Sequence, residues 1–324
     1  MAAVVARAHR LVPSRGWTDG GKPLARRIPS TIVTSITAGI VLAGGRSSRM
    51  GTAKAALEWH GSTLLRHVTG VVQRAVDGPV FVVRAPGQEL PELDREIIVC
   101  DDPREGMGPM QGLAVGLRAA AEHAARPDVA FVCSTDLPFL HTAFVRAVLA
   151  GFGSDPGAEP EVDAVLPIVR GFRQPLTAGY RTALAPLVEE LLGKGQLRPA
   201  HLLAECRVRV LDEDALLADR ALAAVDPELE AVVNVNEPAD YEAARRRPEP
   251  EVIVERYGVL ATRGGGRGPR VVRAATIGHA ADLVGLAFDG HILAAVNGDQ
   301  IRSDGTLPLQ AGDTVAFISA DAGG

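Results

Sequence analysis

The chain has 324 residues, 47% of them hydrophobic and 23% charged, with a formal net charge of −5. That length suggests about two domains, and the acidic balance argues against a protein that grips bulk nucleic acid through a basic face. No apolar run approaches the ~20 residues of a membrane span, and Cys100, Cys133 and Cys206, far apart and without a C-x-x-C pair, support neither a zinc ribbon nor a disulfide framework.

Cysteine usage of this kind suits a reducing cytoplasm. Met1–Ser30 holds arginines and almost no acids, with its short apolar stretch ahead of the charges. That is the reverse of a secretory signal, and residues 1–36 read as a disordered tail or an overlong start. Gly39–Leu42 is a short apolar run expected to form a buried parallel strand. Ser62 is placed to cap a helix reaching Val76, with Leu64, Leu65, Val68, Val71 and Val72 on its apolar face. Strands are expected at Pro79–Val83, Ile97–Cys100, Val129–Cys133, Val162–Val169 and Leu176–Tyr180, with a last one at Ala231–Val235. Helices are expected at Gln111–Ala125, Thr142–Ala150, Thr182–Leu192, Pro199–Glu205 and Glu237–Arg246. Strands alternating with helices predict an α/β, Rossmann-like, doubly wound and mainly parallel sheet over residues 37–247. Ligands of such sheets sit beyond the carboxyl ends of the strands. The polar stretches after Leu42, Cys100, Cys133 and Val235 are therefore expected to converge on one crevice.

Arg245-Arg246-Arg247-Pro248-Glu249-Pro250 breaks the pattern, and residues 248–250 read as a linker. A smaller unit, 251–324, follows. Val252–Tyr257 alternates like a strand, Arg263–Arg270 is a glycine-rich hairpin or loop, Val271–Arg273 is strand-like and Ile277–Phe288 is helical. Leu293–Val296 leads into Asn297-Gly298, a hairpin turn signal, and Thr314–Ser319 is a last strand. The unit is expected to be a small α+β domain.

Chemistry concentrates in four stretches. Leu42-Ala43-Gly44-Gly45-Arg46-Ser47-Ser48-Arg49-Met50-Gly51, with Lys54 beyond, brings a strand into a turn where Gly44 and Gly45 lack Cβ atoms. Phosphate oxygens can then reach main-chain N–H groups, and Arg49 and Lys54 add fixed positive charge. Lys54 is one of three lysines among 34 basic residues. Neither a Walker loop nor a G-x-G-x-x-G matches. Cys100-Asp101-Asp102 precedes Gly108-Pro109-Met110-Gln111-Gly112. Ser134-Thr135-Asp136-Leu137-Pro138 puts a carboxylate directly after an apolar strand, where it can hold Mg²⁺ through hard oxygen. Asn234-Val235-Asn236-Glu237-Pro238 supplies neutral side-chain oxygens.

Taken together, these stretches resemble the molybdenum cofactor guanylyltransferases, over roughly Ala38–Arg246. The order Leu-x-Gly-Gly-x-Ser-x-Arg-Met-Gly-x-x-Lys is that family's signature. The resemblance implies transfer of GMP from GTP to molybdenum-molybdopterin, with release of pyrophosphate. It implies nucleotide binding by Leu42, Ala43, Gly44, Gly45, Lys54, Asp102 and Gly112, with Asp101 the alternative to Asp102. Asn234 and Asn236 would face the pterin-side phosphate or the metal. Asp136 would hold Mg²⁺, and Arg49, Lys54 and Asp136 would carry catalysis. Arg173-Gln174-Pro175-Leu176 resembles the family's substrate-side loop. Two departures stand out, Ala53 where an acid often precedes the lysine and Glu237 in place of threonine. A cytidylyltransferase on the same fold and a non-catalytic nucleotide-binding scaffold remain open alternatives.

In the smaller unit, Ala295-Val296-Asn297-Gly298-Asp299, the stretch Leu309–Ile318 and Gly323-Gly324 resemble the ubiquitin-like (β-grasp) sulfur carriers, closest to the small subunit of molybdopterin synthase. That resemblance implies sulfur carried on Gly324. It also implies an E1-like adenylating enzyme and the molybdopterin synthase large subunit as partners.

Overall fold

A computed structural model describes residues 36–44, 54–104, 106–153, 162–262, 268–301 and 304–320. Gly45, Arg49, Gly324 and the expected tail before Ile36 lie outside the described residues, as does most of the glycine-rich loop at 263–267. No described helix is long and apolar enough to cross a membrane.

In chain order come β1 (Thr37–Leu42), a 3-10 turn (Lys54–Ala56), the two-residue strands β2 (Glu58–Trp59) and β3 (Ser62–Thr63), α1 (Leu64–Ala75), β4 (Val80–Arg84), β5 (Ile98–Asp101), α2 (Pro109–Glu122), β6 (Val129–Ser134) and α3 (Thr142–Ala150). Then follow β7 (Ala164–Val169), β8 (Phe172–Arg173), β9 (Thr177–Arg181), α4 (Ala185–Gly193), α5 (Pro199–Ala204), β10 (Val208–Leu211), α6 (Glu213–Leu217), α7 (Arg220–Val225), a 3-10 turn (Glu230–Val232) and α8 (Pro238–Arg245). The first sheet has the order β10-β7-β9-β6-β1-β4-β5, with β8 paired to β7. The pairs β1–β4, β1–β6, β4–β5 and β7–β10 are parallel, and β9 runs against both of its neighbours. Because β9 reverses the direction twice, the carboxyl ends of β5, β4, β1, β6 and β7 share one edge.

Apolar side chains leave alternate faces of these strands. Val41, Val82, Phe131 and Val165 face a core with α1 and α3, while Ile40, Phe81, Val132 and Leu166 face α2 and α4. Glycine sets how closely α2 approaches β1. A Cβ on Gly116 would lie 2.4 Å from Ile40 Cγ2, and one on Gly112 would lie 3.1 Å from Leu42 Cδ2.

Three expected elements differ. The α1 cap is Thr63, whose Oγ1 accepts from Arg66 N at 3.3 Å, while Ser62 pairs with Trp59. Ala231–Val235 is no strand. The buried Asp226 carboxylate accepts from Glu230 N and Ala231 N, at 2.7 and 2.9 Å, and curls the chain into a turn that Leu229 enters at φ +51°. A carboxylate there outcompetes a ladder for those amides. The helix expected to reach Phe288 ends at Leu283, as described next. The sequence reading also omitted the edge strand β10 and helices α6 and α7.

Residues from Glu251 onward form β11 (Glu251–Arg256), a 3-10 segment (Gly258–Thr262), β12 (Arg270–Arg273), α9 (Ile277–Leu283), β13 (Ile292–Val296), β14 (Asp299–Ile301) and β15 (Thr314–Ser319). Their sheet has the order β12-β11-β15-β13-β14, with β11 and β15 parallel and the other pairs antiparallel. It has its own core, including Val252, Val254, Ile277, Ala281, Leu307 and Phe317. α9 stops because Gly285, at φ +73°, lets its own N–H reach Asp282 O while Leu286 N reaches Ala281 O. That is a Schellman termination. Asn297 and Gly298, at φ +53° and +93°, make the two-residue turn that joins β13 to β14.

The two sheets are not merely tethered. Arg74 of α1 donates to Asp313 Oδ1 at 2.5 Å and to Pro308 O at 2.9 Å. Arg66, also on α1 and almost wholly buried, reaches the Asp304 carboxylate. Pro308 lies against Gly70, where a Cβ would fall 2.5 Å from the proline Cγ. Glu249, in the expected linker, accepts from Ala275 N at 3.0 Å and contacts His279 Nδ1 at 2.7 Å.

Candidate active site

The site is built where β1 and β6 end side by side. Ala43 N and Gly44 N both donate to Val83 O, at 2.8 and 3.2 Å, so the chain leaves β1 pinned to β4. A Cβ on Gly44 would sit 3.1 Å from Ala85 N, a close backbone approach that favours glycine. Gln88 braces the same corner, with Nε2 donating to Ala43 O and Oε1 accepting from Ala85 N, both at 3.0 Å. Sequence reasoning missed Gln88, because one glutamine in a polar loop carries no pattern.

Lys54 opens the first 3-10 turn. Its ammonium donates to Asp136 Oδ2 and to Asn236 Oδ1, each at 2.9 Å. Ser134 Oγ donates to the other carboxylate oxygen, Oδ1. Thr135 Oγ1 donates to Leu42 O at 2.9 Å, locking the end of β6 to that of β1. Val235 N donates to Asp136 O at 2.9 Å, which brings the Asn234–Asn236 stretch onto the same spot. Three of the four polar stretches therefore meet. Lys54 and Asp136 keep side-chain exposures of 24% and 15%, so the pair is open to a ligand.

The fourth stretch stands two strands away, at the end of β5. Asp102 N donates to Arg84 O at 2.8 Å, and its Oδ1 accepts from Arg104 N at 2.9 Å in a local turn. Asp101 is engaged elsewhere, on Arg84 Nε at 2.6 Å, and that hydrogen bond holds its carboxyl below the usual range. Gly108, at φ +72°, starts α2 with Pro109 at its first position. Gly112 has a packing role against Leu42.

Behind the site lies a buried histidine. His67 of α1 packs near Trp59. Burial pushes its pKa down to about 4, against a hydrogen bond to the Pro138 carbonyl that pulls the other way. Among the described residues its Nε2 has no hydrogen-bond partner. Cys133 is buried too, and burial pushes its thiol up, which makes it an inert core residue.

A model of the MobA-like NTP transferase domain matches residues 39–212, which is more than half of the chain. The chain belongs to the MobA-like NTP transferase family. Its enzymatic half is a nucleotidyltransferase. A probable molybdenum cofactor guanylyltransferase of Mycobacterium tuberculosis is 38% identical over 196 residues, covering 59% of this chain and 90% of the relative. One from Mycobacterium avium is 39% identical over 186 residues, 56% of this chain and 89% of the relative. Among solved structures, molybdopterin-guanine dinucleotide biosynthesis protein A from Archaeoglobus fulgidus matches with a TM-score of 0.47 at 20% identity, over 64% of this chain and 96% of that one.

The site of this MobA-like transferase suits charge handling rather than proton abstraction. Among the described residues no cluster of three or more His, Cys, Asp or Glu could cage a metal. Asp136 and Asn236 nevertheless aim one oxygen each at a single point that already holds a cation, the Lys54 ammonium. One carboxylate with neutral oxygen is a donor set that fits Mg²⁺, which keeps phosphates and waters in its remaining positions.

Proposed function

We propose that the transferase half moves GMP from GTP to molybdenum-molybdopterin, with Lys54, Asp136 and Asn236 at the reacting phosphates. The observation that carries this reading is the meeting of those three side chains at the carboxyl edge of the sheet. The names of the mycobacterial relatives support the guanine nucleotide and the molybdopterin acceptor. A phosphate oxygen of the acceptor attacks the α-phosphorus of GTP, and the bond to the departing pyrophosphate breaks. Bound Mg²⁺ would supply charge neutralisation at the phosphates, held by Asp136 with Asn236 beside it. Lys54, relieved of the carboxylate, turns to the triphosphate. The amides of Ala43 and Gly44, expected to cradle phosphate, are taken up by Val83 O, so the cradle of the glycine-rich turn would begin at Gly45, with Arg49 adding charge. Asp102 and Gly112 line the nucleoside end, and Asn234 the acceptor side. Positioning and charge stabilisation dominate such a transfer. The reaction takes place in the cytoplasm.

The domains run 37–247 and 251–324. For the second we propose a β-grasp sulfur carrier, supported by its strand order with parallel β11 and β15 at the centre and, among the described residues, one α-helix, α9, after the first hairpin. Its carboxyl terminus, Gly324, would be adenylated by an E1-like enzyme and then carry sulfur as a thiocarboxylate to the molybdopterin synthase large subunit.

The test is pyrophosphate release by the full chain with molybdenum-molybdopterin and either GTP or CTP. Turnover with GTP is expected. Preference for CTP would replace the guanylyl reading with the cytidylyl one, and no turnover with either would favour a scaffold. Removal of Gly323-Gly324 should abolish sulfur transfer and spare nucleotidyl transfer.

A further inference from the structure

Asp136 is followed by a five-residue loop, Leu137-Pro138-Phe139-Leu140-His141, that leads into α3. Its near end is fixed by Thr135 Oγ1 on Leu42 O, by Ser134 Oγ on the Asp136 carboxylate and by Val235 N on Asp136 O. Its far end is held from outside. Gln310, which belongs to the turn before β15, donates from Nε2 to Leu140 O at 2.8 Å and accepts from Thr142 N at 3.1 Å. The Thr142 amide is one of the first in α3 and has no acceptor within the helix. Gln310 is only 5% exposed, and both ends of its side-chain amide are used on the main chain of the other unit. Its own N–H donates to Asp313 Oδ2 at 2.7 Å. Asp313, 4% exposed, also accepts from Arg74 of α1 and from Asn297 Nδ2, the latter at 2.8 Å. His141 Nε2 lies 3.3 Å from Ala311 O. One buried network thus runs from α1 through the second sheet to the loop that sets the Asp136 carboxylate.

We infer that Gln310 is a positioning residue for nucleotidyl transfer: from the second unit it staples Leu140 and Thr142, and so holds the loop that aims Asp136. This rests on the reading of Asp136 as the metal-holding carboxylate. It makes the second unit a working part of the transferase site, whatever else that unit carries. Buried amide groups leave few alternative partners, so the loop loses its fixed geometry when the staple is removed.

The test uses the full-length chain. Gln310→Met keeps the volume and removes both hydrogen bonds, while Gln310→Glu keeps the acceptor for Thr142 N–H and loses the donor to Leu140 O. Three quantities are measured: Mn²⁺ binding by electron paramagnetic resonance with the nucleotide-free protein, the Mg²⁺ dependence of turnover, and thermal unfolding. Both variants are expected to weaken Mn²⁺ binding about tenfold, the scale of lost supporting contacts around a metal site. The apparent Mg²⁺ constant should rise in parallel, while turnover at saturating Mg²⁺ stays within about threefold of the parent. A lowered melting temperature with unchanged Mn²⁺ affinity in whichever variant folds would overturn the inference. Asp136→Asn run alongside separates the two readings. If it binds Mn²⁺ normally, the reading of Asp136 fails; if it loses Mn²⁺ while both Gln310 variants keep it, only the staple fails.

Discussion

The Lys54 ammonium and the Asp136 carboxylate stand 82 positions apart in the chain and 2.9 Å apart in the fold. The lysine comes from the turn after β1 and the carboxylate from the end of the adjacent β6, so the parallel pairing of these two strands creates the contact. The same ammonium reaches Asn236, 182 positions further on.

Lys54→Ala should cost about a hundredfold or more in turnover, the scale of losing one preorganised charge at a developing anion. The fold should persist, because a partly exposed ion pair contributes only about 0–1 kcal/mol to stability. Steady-state pyrophosphate release and thermal unfolding check both halves; unchanged turnover removes Lys54 from the site.

Asp136→Asn keeps the shape and the partner oxygen for Lys54 but removes the charge. Turnover should fall by at least about a hundredfold. Titration with Mn²⁺ in place of Mg²⁺, followed by electron paramagnetic resonance, should show the binding step weakened. Parent-like binding would send the search for the metal ligand to another carboxylate.

His67 gives the protein an acid-side weakness. Its folded pKa, about 4, lies below the unfolded value of 6.5. Above pH 6.5 both states are neutral at this ring and its contribution to stability is whole. As pH falls from 6.5 toward 4 the unfolded chain takes up the proton first, and stability drops by about 1.4 kcal/mol per pH unit for this one group. Urea unfolding at pH 7, 6 and 5 should show a shallower acid-side slope in His67→Leu than in the parent. Identical slopes would mean that other groups set the decline.

Gly70 sits inside α1, where Gly→Ala ordinarily stabilises a helix by about 1 kcal/mol. Here the added Cβ would lie 2.5 Å from Pro308 Cγ and 2.6 Å from its Cδ. The sign should therefore reverse, with Gly70→Ala destabilising by about 1–3 kcal/mol through overpacking. Adding Pro308→Ala should restore most of that loss. A double-mutant cycle with no coupling would show that the two units separate easily in solution.

Much of this architecture was legible as pattern. Apolar runs marked β1, β4 and β6, and the bounds of α3 and β15 followed from their periodicity and flanking turn residues. Asn297-Gly298 announced its hairpin because both positions need positive φ. Ala231–Val235 misled for a definite reason: its apolar alternation is genuine, but the Asp226 carboxylate turns the chain before a ladder can form. At the site, the stretches holding Lys54, Asp136 and Asn236 were expected to converge because ligands sit beyond the carboxyl ends of parallel strands, while the atom-to-atom contacts among them are a tertiary fact. Gln88 and Gln310 were invisible, since a glutamine that staples foreign main chain looks like any polar loop residue. Gly70 carried no signal in the sequence, because the proline that explains it lies far along the chain.

The fit of Pro308 into the gap beside Gly70 makes the two halves a matched set. A transferase half without a glycine at the Gly70 position, grafted onto this second unit, would present a tenon without its mortise. Swaps between such fusions should succeed only when both positions travel together.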